Sequence, residues 1–240
     1  MKALARQWFS AFAYTGTLVV VRLIMLATSR LEVLHAERVP SDGPLLVISN
    51  HLNNIDPVLV CACSPRRLRT MAKRELFELP LVGWTLRPFG AFPVNRHSAD
   101  LGALRVARNH LRAERAVLVF PEGTRSRTQS LKPALAGSAI LALLGNAPIV
   151  PIAISGTEAL SGPRAILRGI FTRRHPVRIE FGEPFSVEEG PPTTDRTETA
   201  TDLMMRHIAK LLPETYRGAY GPDSEGKIVV ERHRPDPPNQ

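Results

Sequence analysis

The spacing of apolar residues changes several times along the chain, and each change predicts an element. Residues 8–27 are almost continuously apolar, from Trp8 through Phe12, Tyr14 and Leu18 to Leu26, with Arg22 in the middle. A bilayer-spanning helix needs about 20 such residues, and a cation at its centre costs about 2.5–3.5 kcal/mol. The expected arrangement is a helix lying in the membrane interface with Arg22 reaching the headgroups; a buried core helix and a secretory signal are the alternatives. Further on, residues 45–48, 68–72, 116–120, 149–154 and 177–181 are short apolar runs bounded by Gly, Pro and polar residues, the pattern of buried strands. Between them the spacing predicts helices over about 56–63, from Lys73 with interruptions at Pro80 and Gly83, over about 98–115, 135–144 and 197–212. Ser98 is the expected cap of the third, with Leu104, Ala107 and Leu111 on its core face. Strands alternating with helices predict an α/β fold: a mixed, largely parallel central sheet flanked by helices, with an N-terminal membrane-interface helical segment. Pro151 inside a strand predicts an irregularity or an edge. From Arg217 onward the apolar pattern fades, so a mobile tail is expected. The implied organisation is an N-terminal segment over 1–34, a main domain over 35–215 and a basic, Pro-rich tail over 216–240.

With 240 residues and 44% hydrophobic content, the chain can build one large core. A formal net charge of +9 calls for an anionic partner: nucleic acid, a negatively charged membrane or a phosphorylated substrate. Arg105, Arg108, Arg112 and Arg115 fall within roughly 80° of a helix surface, a stripe open to solvent, to headgroups or to an anionic cofactor. With aromatics at only 6% and no helix-turn-helix, zinc or RNP-like pattern, no nucleic-acid partner is expected. The two cysteines, Cys61 and Cys63, are one residue apart on an expected helix, which suits neither a disulfide framework nor, with His51 alone nearby, a metal site. A reducing compartment fits.

Two stretches carry candidate chemistry. In Asn50-His51-Leu52-Asn53-Asn54-Ile55-Asp56-Pro57, an imidazole precedes a carboxylate by five residues. If Asp56 opens a helix and His51 sits in the loop before it, the carboxylate comes back under the ring, the arrangement of an oriented general base. The same residues could be a polar loop histidine and a helix cap ahead of proline. In Pro121-Glu122-Gly123-Thr124-Arg125-Ser126-Arg127, a hydroxyl, two guanidiniums and backbone amides converge after an apolar strand, chemistry suited to a phosphate. There Glu122 either holds the loop or accepts from a substrate hydroxyl. A charged surface turn is the alternative.

Taken in order, Asn50–Asp56, Gly90-Ala91-Phe92-Pro93-Val94-Asn95-Arg96, Phe120–Ser126 and Val150-Pro151-Ile152 resemble the four motifs of the glycerolipid acyltransferases, most of all the bacterial 1-acylglycerol-3-phosphate acyltransferases. The resemblance covers roughly residues 35–190. It implies that His51, oriented by Asp56, deprotonates the sn-2 hydroxyl of a lysophospholipid, which attacks an acyl thioester carried by CoA or acyl carrier protein and yields phosphatidic acid for phospholipid biosynthesis. No cofactor and no metal are implied. By position, Arg96, Glu122, Gly123, Thr124 and Arg125 would form the glycerol-phosphate site, Lys73 would add a cation and Pro151 would belong to the acyl region. The implied location is peripheral or monotopic on the cytoplasmic face of the cell membrane. The chain departs from the family pattern at Asn53, where Ser is common, at Asn95, where an acid is common, and at Leu135, where Lys is common. A relative acting on another lysolipid or lipid hydroxyl would keep His51 and Asp56 and vary there. A non-catalytic membrane-surface protein would share the charge and the anchor.

Overall fold

A computed structural model describes residues 2–79, 86, 90–94, 100–160, 162, 175–224 and 226–231. Seven strands form one sheet in the order β1-β7-β6-β2-β5-β3-β4. They are β1 (Arg30–Leu34), β2 (Leu45–Ser49), β3 (Leu68–Lys73), β4 (Phe92–Val94), β5 (Ala116–Val119), β6 (Ile149–Ser155) and β7 (Pro176–Phe181). Every neighbouring pair is parallel except β6 with β7. The described helices are α1 (Lys2–Thr28), α2 (Asp56–Cys63), α3 (Leu101–Arg112), α4 (Gly137–Gly145) and α5 (Thr194–Leu211).

The continuous apolar runs have a simple cause: both faces of the sheet are covered, so both alternating sets of side chains are buried. Leu46 and Ile48 of β2, with Val117 and Val119 of β5, point to the layer of α3, α4 and α5, where Ala107, Leu111, Leu141, Met204 and Ile208 are buried. Leu45 and Val47, with Ala116 and Leu118, point to the other layer, where Met25 of α1 and Leu59 and Val60 of α2 are buried.

Three expectations need correction. The sheet begins at Arg30, ahead of the 35–215 segment expected to hold the domain, because β1 pairs with β7 over its whole length. Its edge position leaves it partly exposed, so it lacks the unbroken apolar run of the inner strands. Asp100 caps α3, its carboxylate accepting the Ala103 amide at 2.9 Å, whereas Ser98 lies outside the described residues. The segment after Arg217 is not loose as far as Glu231. Tyr220 is buried, its hydroxyl accepts the Ala134 amide and donates to the Val229 carbonyl, and Val230 bridges Ala134. Two aromatic anchors, Tyr216 and Tyr220, hold a segment whose composition otherwise reads as tail. Of the helical stretch expected from Lys73, the described part is a short turn over Arg74–Phe77; Pro80 and Gly83 lie outside the described residues.

Pro151 sits in β6, an inner strand, and the irregularity expected of it lies opposite. Ile149 to Ile152 spans three steps while the facing Phe181 to Phe185 spans four, a bulge that contains Gly182. The Gly182 amide donates to the Pro151 carbonyl at 2.8 Å. A residue's N and O point to the same side of a strand, so the proline's missing N–H faces the bulge, where no regular ladder bond is lost.

Candidate active site

β2 and β5 are parallel neighbours, so the segments after them leave the sheet at the same end. Asn50 and His51 follow β2, and Phe120 to Glu122 follow β5. The Asn50 side chain replaces the ladder where β2 stops: its amide donates to the Ile154 carbonyl and its oxygen accepts the Ile154 amide, both at 2.8 Å. This pins the entry of the histidine loop to β6.

His51 then lies in the loop and Asp56 is the first residue of α2. Their side chains meet with His51 Nδ1 2.9 Å from Asp56 Oδ2, and both are buried, at 4% and 0% exposure. The same Oδ2 accepts the amides of Leu52 at 2.6 Å and Asn53 at 2.7 Å. Asp56 thus folds the loop back upon itself, and its place in the first turn of α2 suits a negative charge. Among the described residues, the buried Oδ1 has no hydrogen-bond partner. The Asn53 side chain donates to the Thr157 carbonyl at 2.7 Å, a task that ties down the loop's far end. On its other side the imidazole packs against Phe120, with ring centroids 4.4 Å apart.

Glu122 joins the two motifs. It is buried, with Oε1 accepting the His51 amide at 3.0 Å and Oε2 accepting the Lys132 amide at 3.1 Å. Burial pushes its carboxyl up to about 7, against the pull of the two amides and of Lys132. Of the two roles open to it from the sequence, holding the loop is the one these contacts serve. The Ser126 amide donates to the His51 carbonyl at 2.8 Å, a second tie between the loops. Gly123 turns with φ +68°, a conformation side chains resist, and a Cβ there would lie 2.6 Å from Leu135 Cδ1. At the position of Leu135 the chain therefore presents a packed apolar group to the loop.

Beyond the turn, Thr124, Arg125, Ser126 and Arg127 line an open cavity of about 810 Å³, together with Leu52, Lys132 and Glu158. Leu52, next to His51, connects the cavity to the buried pair. The structure therefore brings His51, Asp56, Glu122, Gly123, Thr124 and Arg125 into one region. Lys73, at the carboxyl end of β3, forms an ion pair with Glu75 at 3.1 Å and is not among the cavity's lining residues. Arg96 and Asn95 lie outside the described residues. Pro151 is within the sheet, at the position facing Ile48 of β2. Cys61 and Cys63 are buried on α2, where desolvation pushes their thiols up to about 12 and about 11.

Lys132 and Asn50 contribute without being expected from the sequence, and Asn53, expected only as a departure from the family pattern, holds the loop. A polar side chain at the carboxyl end of a buried strand was the available signal for Asn50. Lys132 carries only a weak one, a single cation in an apolar-flanked segment five residues after the Arg-Ser-Arg turn.

Comparison with known proteins decides the family. The model of the family described as Acyltransferase matches residues 30–155. The chain belongs to the acyltransferase family. Among named relatives of this acyltransferase, the 1-acyl-sn-glycerol-3-phosphate acyltransferase of Streptococcus pneumoniae is 26% identical over 200 residues, covering 82% of this chain and 71% of its own. The protein of the same name from Bacillus subtilis is 26% identical over 80% of this chain and 92% of its own. The human beta form is 34% identical over a shorter stretch, 52% of this chain and 46% of its own. In three dimensions the acyltransferase shares its fold with PlsC of Thermotoga maritima, a 1-acyl-sn-glycerophosphate acyltransferase. The TM-score is 0.64 at 24% identity, over 88% of this chain and 83% of that one.

Proposed function

We propose that this acyltransferase moves a fatty acyl group from an acyl thioester to the sn-2 hydroxyl of 1-acylglycerol-3-phosphate, giving phosphatidic acid. The observation that carries this reading is the buried His51–Asp56 pair next to a cavity lined by Thr124, Arg125 and Arg127. The names of the relatives point to the same acceptor. Nδ1 of His51 is engaged by Asp56, which leaves Nε2 to take the proton of the attacking hydroxyl. The oxygen adds to the thioester carbonyl, the C–S bond breaks, and the imidazolium returns the proton to the departing thiolate. Asp56 holds the ring in orientation and favours the imidazolium while the charge exists. The thioester is already activated, so the transfer needs only the base and correct placement. Glu122 is a positioning residue, setting the base and the phosphate loop relative to each other. By their positions in the family motifs, Lys73 and Arg96 add cations to the phosphate site, and Pro151 belongs to the acyl-chain region.

The test is a panel of lysolipids assayed with one acyl-CoA and one acyl carrier protein donor. Turnover of lysophosphatidate well above lysolipids with larger headgroups supports the reading; a preference for a phosphate-free acceptor would sink it. Within it, Arg125→Ala is expected to raise KM for lysophosphatidate about tenfold or more, as loss of a charge-assisted hydrogen bond implies, with KM for the donor almost unchanged. Equal effects on both substrates would contradict a phosphate role.

We further propose that α1 attaches the protein to the cytoplasmic face of the membrane. No helix among the described residues is long and apolar enough to cross a bilayer. Tyr14 and Met25 of α1 are buried against the protein, while Val19, Val20, Leu23, Ile24 and Leu26 stay exposed. Such an apolar face beside Arg22 suits the interface. Removing the helix would uncover the core beneath Met25, so the informative change is replacement of Val19, Val20, Leu23 and Leu26 by serine. Flotation with anionic vesicles is expected to be lost with the fold intact; unaltered flotation would place the attachment elsewhere.

A further inference from the structure

We propose that Lys132 is a further cation of the acceptor-phosphate site, acting as a pair with Thr124. The inference rests on the acceptor being phosphorylated, as argued above. Lys132 Nζ lies 2.7 Å from Thr124 Oγ1 and 3.2 Å from the Thr124 carbonyl. In that contact the ammonium can only donate, so the threonine oxygen accepts and its own proton is directed away from the lysine. The ammonium keeps at least one further N–H. One O–H and one N–H donor thus stand side by side on the wall that also carries Arg125 and Arg127.

The charge balance supports an anionic ligand there. Among the described residues, Lys132, Arg125 and Arg127 form no ion pair. The carboxylate on the same cavity, Glu158, accepts the Tyr216 hydroxyl at 2.6 Å. Among the described residues, three cations and one carboxylate line the cavity, and even with buried Glu122 behind Lys132 the positive charge is in excess, a surplus that a phosphate would neutralise.

Lys132 is also placed by the fold rather than by chance. Its amide is held by Glu122, the carboxylate that holds the His51 amide. The residue before it is fixed from both sides: the Leu131 amide donates to the Tyr216 carbonyl and the Leu131 carbonyl accepts the Ala219 amide. Two residues on, the Ala134 amide reaches the buried Tyr220 hydroxyl. The lysine backbone therefore stands at a set distance from the base, as a group that orients an acceptor must.

The experiment compares the full-length wild type with Lys132→Ala, Lys132→Arg and Thr124→Val, using lysophosphatidate and the phosphate-free 1-acylglycerol as acceptors. Lys132→Ala is expected to raise KM for lysophosphatidate about tenfold or more, with KM for the acyl donor and the rate on 1-acylglycerol within about twofold. Lys132→Arg should recover most of the loss. Thr124→Val, close in shape and free of the hydroxyl, should raise the same KM severalfold, and it decides the matter if Lys132→Ala does not fold. An unaltered KM for lysophosphatidate in Lys132→Ala or Thr124→Val, or an equal loss on both acceptors, would overturn the assignment. If the wild type itself prefers 1-acylglycerol, the phosphorylated acceptor and this assignment fall together; if it prefers lysophosphatidate and the variants do not differ from it, only Lys132 falls.

Discussion

Replacing His51 by alanine is expected to lower kcat/KM for acyl transfer by about 10²–10⁴-fold, the range a well-placed general base contributes. The fold should survive, because the ties that run through residue 51 use its backbone: the amide to Glu122 and the carbonyl from the Ser126 amide remain. What the ring itself holds is the bond to Asp56 and the contact with Phe120. Steady-state acylation of lysophosphatidate alongside a melting curve checks both halves. Wild-type turnover in a folded variant would mean that the proton is taken by another group.

Asp56 has a larger structural share, and two substitutions separate it from the chemical one. Asp56→Asn keeps an oxygen that can accept the Leu52 and Asn53 amides but removes the charge that stabilises the imidazolium. Its activity is expected to fall by about two orders of magnitude or more with little change in melting temperature. Asp56→Ala instead leaves three buried donors, His51 Nδ1 and the two amides, without an acceptor. At about 1–3 kcal/mol for each unsatisfied group, the loss approaches the whole stability of a typical domain, about 5–15 kcal/mol. That variant should fail to accumulate in folded form. An Asp56→Asn enzyme with normal kcat, or an Asp56→Ala protein with an unaltered melting curve, would show that the carboxylate plays neither part.

Much of this architecture was legible in the chain because the strands at the centre are buried on both faces. The runs that become β2, β5 and β6 had to be continuously apolar, and they are. Strand β1 was not legible for the opposite reason: as an exposed edge, Arg30-Leu31-Glu32-Val33-Leu34 needs no such run. The cap of α3 shows the ordinary uncertainty of helix ends, since Ser98 and Asp100 are both suitable residues and only backbone geometry chooses. The segment from Tyr216 to Val230 has the composition of a tail, yet two tyrosines and a few backbone bonds dock it on the core. Composition averages over such sparse anchors.

The candidate site divides along the same line. Local chemistry was enough to single out His51 with Asp56, and Thr124 with Arg125, because each pair lies within a few residues and the spacing limits what they can do. It did not choose between the two roles of Glu122. That depended on burial and on which amides came within reach, and these belong to the loop after β2 and to Lys132. By itself the sequence determined the alternation of strand and helix, the His–Asp loop and the basic turn after β5, since short-range spacing and hydrophobic burial encode them. Only the tertiary structure decided that one buried carboxylate joins these motifs and that Lys132 faces the same cavity as Arg125, because contacts between residues far apart in the chain exist only once parallel β2 and β5 have brought their ends together.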